Sequence, residues 1–473
     1  MNSKIKIFIQ NFSYTFISNL LSVIISTVLI LLVPKFVSVE DYGYWQLYIF
    51  YSSFISYMSL GLTDGAYLRF GGDEYKDLHK PVFVFQFWFL VLFDIVINLS
   101  IAVIYSINSM DPNKSIVVFL TCLTGVLVVP RSLLTFMLQA TNRIKEYSII
   151  IIIERVFYFI LVIIFLFVGI DRFEYLIFSD IFGKLFSIIY ACFICRELVF
   201  GKFDSIKNSV REIWVNISVG SKLLFANFAS MLIIGIVRFC IERKWSVETF
   251  GKVSLTISIS NMLMLFINAI GLILFPTLRR TSEKNLPSIY KMMRTVIMVP
   301  LLILLIFYYP AKLFLSIWLP QYTESFIYMA LLFPMCIYES KTVLLINTYL
   351  KTLRKEKVML IINLITVAMS IVLTYFSVYL WKSLYLSVLS ITLLLAFRSI
   401  IAELHLSKAL KIKVRKDIVL EVCMTGIFIT VSWYLKASVA WIIYFIALVV
   451  YLYIKKSEIV YLLKKSKSIK KSK

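Results

Sequence analysis

Eight Lys and Arg residues lie inside long apolar segments of this sequence, and Arg131, Lys184, Lys222 and Lys341 are the candidates for ligand binding. A charge at the centre of a bilayer costs about 2.5–3.5 kcal/mol even on scales based on insertion experiments. Such side chains therefore face a wet cavity or another polar group. Arg131, Lys222 and Lys341 have no acidic residue three or four positions away. We expect these three to line a cavity and contact an anionic ligand.

Lys184 has a second interpretation, because Asp180 lies one helical turn before it. Oppositely charged residues at i and i+4 commonly pair on one helix. A structural ion pair and a ligand contact therefore remain equally open for Lys184.

Two acidic residues in apolar segments, Asp94 and Asp180, are the candidates for exchanging a coupling proton or ion. Asp94 is the one charged residue in its predicted span and has apolar residues on either side, where a buried carboxylate is costly. The alternative for Asp94 is a neutral or hydrogen-bonded role in helix packing.

The other four buried bases need no ligand. Arg155 and Arg398 lie near the ends of their apolar segments, from which long side chains can reach the membrane surface. Arg238 and Lys252 lie at the opposite ends, and Arg238 has Glu242 one helical turn further on.

Membrane-spanning helices must position these residues. Hydrophobic residues make up 60% of the 473, and the mean hydropathy is +0.89. Only helices satisfy the backbone of a single apolar segment in lipid, and about 20 residues cross the core. The sequence predicts an all-α polytopic membrane protein. About fourteen spans are expected, near residues 12–33, 42–62, 82–107, 115–139, 149–169, 174–195, 214–237, 250–275, 295–317, 325–347, 358–380, 384–402, 418–435 and 437–454.

The distribution of basic residues predicts the orientation. Of 49 Lys and Arg residues, 33 lie in the N-terminus, the loops after even-numbered spans and the C-terminal tail, whereas the opposite loops hold eight. Because basic residues concentrate on the cytoplasmic side, both termini are expected there. This pattern also explains the net charge of +23 without a nucleic-acid partner.

Signals for catalysis, metals and cofactors are missing from the sequence. The two histidines, His79 and His405, are far apart, and no G-x-x-x-x-G-K-[ST] motif for ATP occurs. The loops on the outer side are short, whereas an enzyme acting on sugars would need paired carboxylates there. We expect no catalytic residue, no metal and no cofactor.

One phrase occurs twice, as "KFVSVEDYGYWQL" (Lys35–Leu47) and "RKWSVETFGKVSL" (Arg243–Leu255). A second pair, "GLTDGAYLR" and "GLILFPTLR", follows at nearly the same offset. Gly43 and Gly251 occupy the same place in the two copies, where the lack of a side chain allows close packing or a positive φ. Glu40 and its counterpart in the second copy lie where a helix N-terminus favours an anion.

The repeat predicts the domain organisation. Six spans separate the copies, so the two halves have the same orientation in the membrane. We expect an N-terminal lobe (residues 1–200) and a C-terminal lobe (201–410) around a central cavity. Two further helices (411–456) and a basic cytoplasmic tail (457–473) follow.

Five sequence segments, taken in their order along the chain, resemble a known family. "LVPKFVSVEDYGYWQL", "LGLTDGAYLRF", "LQATNRIKEY", "VETFGKVSL" and "LFPTLRR" are similar to the polysaccharide-transport branch of the multidrug/oligosaccharidyl-lipid/polysaccharide exporter superfamily, which includes Wzx-type O-antigen flippases. The resemblance covers nearly the whole chain. One departure is Val237, which precedes Arg238 where family members often carry an acidic residue. This departure puts an ion-coupling role for that position in doubt.

The resemblance implies a flippase of the bacterial inner membrane. Its cargo would be an undecaprenyl-pyrophosphate-linked oligosaccharide, carried to the periplasmic leaflet by alternating access. Membrane potential or ion antiport would drive the movement. A polysaccharide polymerase and a chain-length regulator are the implied protein partners. The alternatives are a multidrug or cation antiporter of the sister branch, a lipid II flippase, and a membrane-embedded polymerase or glycosyltransferase.

Overall fold

The computed structural model describes residues 3–108, 111–279 and 285–460. These residues form helices joined by short connections, and no strand occurs among them. Each helix satisfies its own backbone, as a chain in lipid must. The prediction of an all-α polytopic membrane protein is confirmed. The last part of the predicted basic tail, 461–473, lies outside the described residues.

The chain divides into two compact units. Unit 1 comprises Met1–Phe228 and Val247–Gly251, and unit 2 comprises Ala229–Ser246 and Lys252–Lys473. The helices that begin in unit 1 are α1 (Ser3–Phe36), α2 (Val39–Ser52), α3 (Leu62–Arg69), α4 (Lys80–Asn108), α5 (Pro112–Ala140), α6 (Ile144–Phe167), α7 (Phe173–Ile194), α8 (Arg196–Val199), α9 (Ile206–Lys244) and α10 (Val247–Arg279).

Unit 2 contains the remaining helices. They are α11 (Leu286–Leu304), α12 (Tyr308–Trp318), α13 (Tyr328–Leu332), α14 (Met335–Ser340), α15 (Asn347–Thr352), α16 (Glu356–Thr374), α17 (Leu384–Ala409), α18 (Arg415–Tyr434) and α19 (Ala437–Ile454). Two π-helical segments, Lys341–Ile346 and Tyr375–Leu380, continue α14 and α16.

The predicted count of fourteen spans is not confirmed. Among the described residues, eleven helices are long and apolar enough to cross a membrane. The number is twelve if the bent pair Pro320–Leu332 and Met335–Thr352 is one span. The predicted span 250–275 falls on α10, a continuous helix whose C-terminal half lies outside the residues with described side chains.

The predicted span 42–62 is a broken helix rather than one rod. After α2, a short 3₁₀ turn ends at Leu60 and Gly61, which both have a positive φ (53° and 86°), and α3 then begins. Glycine adopts this conformation without strain. A side chain at Gly61 would also lie 2.7 Å from the backbone nitrogen of Ser221. The break therefore brings α3 against the first half of α9.

Pro130, the residue before Arg131, lies inside α5 without breaking the helix. Helix α5 runs unbroken from Pro112 to Ala140. Membrane helices tolerate an internal proline, because neighbouring groups and small backbone adjustments satisfy the carbonyl that it leaves free.

The repeat predicted from sequence recurs in the backbone at helix ends. Asn142 ends α5 with a φ of 60°, and Arg354, 212 residues later, ends α15 with a φ of 52°. In both places the next residue's N–H bonds back to a leucine carbonyl five residues earlier, at 2.8 Å. A hydrogen bond of this kind, following a residue with a positive φ, is a common way to end a helix. The two halves of the chain thus share local geometry as well as sequence.

The two copies of the repeated phrase meet through their glycines. A Cβ atom on Gly43 would lie 2.5 Å from the carbonyl oxygen of Val247, and one on Gly251 would lie 2.7 Å from the Cα of Gly43. Neither glycine has a positive φ. Of the two interpretations offered by the sequence, the structure therefore supports close helix packing between α2 and the first turn of α10.

Candidate functional site

Buried charges in unit 1 gather where α2, α5, α6 and α7 meet. The unit 1 cluster consists of three bases and two acids: Arg131, Arg155, Lys184, Glu154 and Asp180. Gly183 allows this assembly, since a side chain there would lie 2.6 Å from the carbonyl oxygen of Glu154. The close contact between α6 and α7 brings charges of both helices together.

Arg131 on α5 is held by two helices at once. Its Nη1 forms an ion pair with Glu154 of α6 and donates a hydrogen bond to Ser187 of α7 at 2.7 Å. The Arg131 side chain is 11% exposed and that of Glu154 is 7% exposed. An ion pair this enclosed is strong only when further hydrogen bonds support it, and Ser187 supplies one.

Asp180 and Lys184 form the ion pair that their spacing predicted. Tyr48 of α2 joins them by donating to Asp180 Oδ2 at 2.5 Å and accepting from Lys184 Nζ at 3.3 Å. The Tyr48 hydroxyl also lies 2.9 Å from the hydroxyl of Thr124. Asp180 is therefore fixed on two sides.

The unit 1 cluster has one base more than it has acids. Glu154 lies within electrostatic range of Arg131, Arg155 and Lys184. Arg155 is partly exposed and makes no hydrogen bond or ion pair with another described residue. This leaves Arg155 as the cluster's available cation.

Lys341 lies in a separate network in unit 2. Its side chain has no exposed surface, and its Nζ donates to Glu403 and Glu421, each at 2.8 Å. Arg294 shares both acids, at 2.7 Å from Glu403 and 2.6 Å from Glu421. Tyr290 also donates to Glu403, at 2.9 Å. Two bases and two carboxylates thus neutralise each other within unit 2.

Three of these residues escaped the sequence reasoning. Arg294 and Glu403 each lie one residue outside a predicted span, and Glu421 lies near the start of the predicted span 418–435. Their partner Lys341 is 62 and 80 positions from the two acids. No spacing rule along one helix could have found such pairs.

Two further bases from apolar segments, Arg398 and Lys222, have different surroundings. Arg398 is 3% exposed and pairs with Glu339, while its Nη1 donates to Ser230 at 2.8 Å. The sequence had suggested that Arg398 extends to the membrane surface. In the structure its side chain is enclosed instead. Lys222 on α9 is exposed and makes no ion pair with another described residue.

Asp94 on α4 is fully buried, and neither carboxylate oxygen has a hydrogen-bond partner among the described residues. The neighbouring Asn98 donates to the backbone carbonyl of Asp94 at 2.9 Å. Burying an ionised carboxylate without a partner is very costly.

Of the six predicted site residues, the structure brings Arg131, Asp180 and Lys184 into one cluster. Lys341 belongs to the network in unit 2, and Lys222 and Asp94 stand outside both sets of ion pairs. Among the described residues, no group of His, Cys, Asp and Glu has an arrangement that could hold a metal.

Helices long enough to cross a bilayer, with ion pairs enclosed among them, define a multi-pass membrane protein. The chain belongs to the polysaccharide biosynthesis protein family, whose model matches residues 8–282. No curated protein matches the sequence.

Solved structures of the multidrug/oligosaccharidyl-lipid/polysaccharide exporter superfamily have a similar fold. The lipid II flippase MurJ in an inward closed conformation matches with a TM-score of 0.65 and 13% identity, over 95% of this chain and 100% of that one. An inward-facing multidrug MATE transporter matches with a TM-score of 0.55 and 11% identity, over 83% and 99%. The MATE transporter ClbM in complex with Rb⁺ matches with a TM-score of 0.53 and 13% identity, over 84% and 93%. At such identities the likeness shows the fold alone.

Proposed function

We propose that this protein is a flippase that moves an undecaprenyl-pyrophosphate-linked oligosaccharide from the cytoplasmic to the periplasmic leaflet of the bacterial inner membrane. One observation carries the proposal: a chain of the polysaccharide biosynthesis family has the fold of membrane transporters. A transporter in such a pathway would move a lipid-linked saccharide, such as an O-antigen repeat unit. Both termini would lie in the cytoplasm.

The pyrophosphate of this cargo is the group that the buried bases would recognise. Arg155 has no ion-pair partner among the described residues, and like Arg131 and Lys184 it lies within electrostatic range of Glu154, in a cluster with one more base than acids. Lys222, exposed on α9, would add a further contact. Lys341 would reach cargo only in a conformation that separates it from Glu403 and Glu421.

Membrane potential would favour outward movement of this cargo. A head group with about two negative charges gains roughly 4.6 kcal/mol per 100 mV when it leaves a negative interior. Proton or ion antiport is the second energy source that we propose. Asp94 is its candidate site, because this buried carboxylate has no described hydrogen-bond partner. Asp180 is the second candidate, although Lys184 and Tyr48 already hold it.

Two rivals share the fold. Similarity to MATE transporters favours a drug or cation antiporter, but a cationic substrate would be repelled by a cluster with more bases than acids. Similarity to MurJ favours lipid II as cargo, and its charged lipid linkage would suit the same bases.

A gene deletion in the source bacterium tests the function. The flippase proposal expects a complete lipid-linked repeat unit to accumulate on the cytoplasmic side and surface polysaccharide to fall. Normal polysaccharide with altered drug tolerance would support the antiporter instead. Arrest of peptidoglycan synthesis with accumulated lipid II would support the second rival. Unpolymerised units that accumulate on the outer side would indicate an enzyme.

Rescue with variants tests the proposed cargo contacts. Arg155→Gln and Lys222→Gln each remove a charge without leaving a described acid unpaired, so both should fold. Loss of a charge-assisted hydrogen bond worth about 1.5–3 kcal/mol should lower transport at least about tenfold. Lys436→Gln, in the exposed connection between α18 and α19, is the matched control. Full rescue by both variants would remove these bases from the proposed site.

A further inference from the structure

Unit 2 contains a second group of basic residues, and none of them is among the proposed cargo contacts. A cavity of about 1030 Å³ lies where the start of α11, the end of α17, the connection 410–414, the start of α18 and the residues just after α19 meet. We call it the basic cavity. Six exposed bases line it: Lys291, Lys408, Lys411, Lys413, Arg415 and Lys416.

The two acids that line the basic cavity are already engaged. Asp417 accepts from Lys455 at 2.5 Å and lies 3.7 Å from Arg294. Glu458 accepts from Lys455 at 2.8 Å and from Thr295 at 3.0 Å. None of the six lining bases makes an ion pair with another described residue. The cavity therefore has a large uncompensated positive charge.

Helix α18 adds backbone donors to this charge. It is 20 residues long and begins at Arg415, and its N-cap residue Val414 offers no side-chain hydrogen bond. The first N–H groups of a helix lack partners within it, and the helix dipole makes this end positive. A helix N-terminus beside six bases favours a phosphate.

We propose that the basic cavity binds the phosphate head group of an anionic glycerophospholipid. Its volume, at the upper end of ordinary ligand pockets, exceeds what a free phosphate needs. Three of the elements around it, α11, α17 and α18, belong to candidate membrane spans, so the cavity lies at the ends of membrane-crossing helices. Met292, Leu404 and Ile412 provide apolar walls for the glycerol and first acyl carbons. Basic sites between membrane helices are known to select such head groups.

Native mass spectrometry of the delipidated full-length protein in detergent tests this proposal. Phosphatidylglycerol, which is anionic, and phosphatidylethanolamine, which is zwitterionic, are titrated separately. The triple variant Lys411→Gln, Lys413→Gln and Arg415→Gln changes only exposed side chains. It should bind phosphatidylglycerol at least about tenfold more weakly, because it removes three of the six bases that attract the phosphate. Phosphatidylethanolamine binding should not change.

A matched triple variant, Lys202→Gln, Lys207→Gln and Arg211→Gln, removes three exposed bases from the connection before α9 and from its first turns. It should leave phosphatidylglycerol binding unchanged. Equal weakening by both triple variants would overturn the proposal in favour of diffuse surface attraction. Displacement of the lipid by millimolar inorganic pyrophosphate would identify a water-soluble anion instead. Preferential binding of undecaprenyl pyrophosphate would assign the cavity to cargo.

Discussion

Lys341 has no exposed surface, and two carboxylates lie 2.8 Å from its ammonium. In the Lys341→Ala variant, Glu403 and Glu421 lose one of their two bases. Among the described residues, Arg294 is the base that still pairs with both acids. Removing one partner of a buried ion pair costs about 3–5 kcal/mol. We expect a clear fall in the thermal unfolding temperature of the purified protein in detergent.

The control for this prediction is Lys222→Ala. Lys222 is exposed and makes no ion pair with another described residue, so its replacement should change stability by at most about 0.5 kcal/mol. Equal unfolding temperatures for the two variants would contradict the enclosed network around Lys341.

Asp94 provides a second prediction at this scale. Because its carboxylate is buried without a described hydrogen-bond partner, Asp94→Asn replaces a costly acid by an uncharged amide of similar size. The variant should fold with unchanged or higher stability. A proton gradient should no longer accelerate its transport. Transport by reconstituted protein, with and without a pH gradient, measures this effect. An unaltered response to the gradient would assign Asp94 to helix packing.

Single residues show where sequence reasoning worked and where it stopped. The pair Asp180 and Lys184 was predictable, because its partners lie one turn apart on one helix. Arg131 and Lys341 seemed to lack partners for the same reason, since only acids nearby in sequence were considered. Their partners come from other helices, which only the tertiary packing brings close.

At the scale of elements, the contact between α2 and α10 depends on two glycines. A methyl group on Gly43 would lie 2.5 Å from the Val247 carbonyl oxygen, and one on Gly251 would lie 2.7 Å from the Gly43 Cα. Overpacking of this kind costs about 1–3 kcal/mol. Gly43→Ala and Gly251→Ala should each lower the unfolding temperature in detergent.

Gly426→Ala is the matched control, because it also lies within a helix and has no atom within 4 Å of the added methyl group. Alanine is the better helix former, so this control should keep or raise the unfolding temperature. A Gly43→Ala variant as stable as the control would show that the two helices can separate without cost.

Elements were predictable from apolar length but their breaks were not. Hydropathy identified the long helices correctly, since crossing a bilayer sets a minimum length. It joined α2 and the short 3₁₀ turn after it into the span 42–62, because apolar side chains continue through that turn, and it left nearly all of α3 outside the span. Gly61 was the one local signal, and glycines inside membrane helices are too common to identify a break.

At the scale of the whole molecule, a flippase with an anionic cargo should respond to voltage. In proteoliposomes with a potassium gradient and valinomycin, a potential that is negative on the loading side should speed transfer. The reversed potential should slow it, since about two charges at 100 mV correspond to roughly 4.6 kcal/mol. Equal transfer rates at both polarities of the membrane potential would point to ion antiport as the sole energy source.

The family and fold were predictable from ordered motifs spread over the whole chain, whereas the cargo was not. Contacts to a saccharide are scattered polar groups with no fixed spacing. The charged groups that do stand out are largely engaged with each other in this structure. Among the eight bases in apolar segments, Arg155, Lys222 and Lys252 make no ion pair with another described residue.

The most direct test of the account is leaflet transfer by the purified protein. Proteoliposomes carry an undecaprenyl-pyrophosphate-linked repeat unit of the source bacterium in one leaflet, and a membrane-impermeant glycosidase or periodate reports its arrival in the other. The account predicts transfer that requires the protein and that falls at least about tenfold with Arg155→Gln. Absence of transfer by protein that instead moves a cationic drug would contradict it.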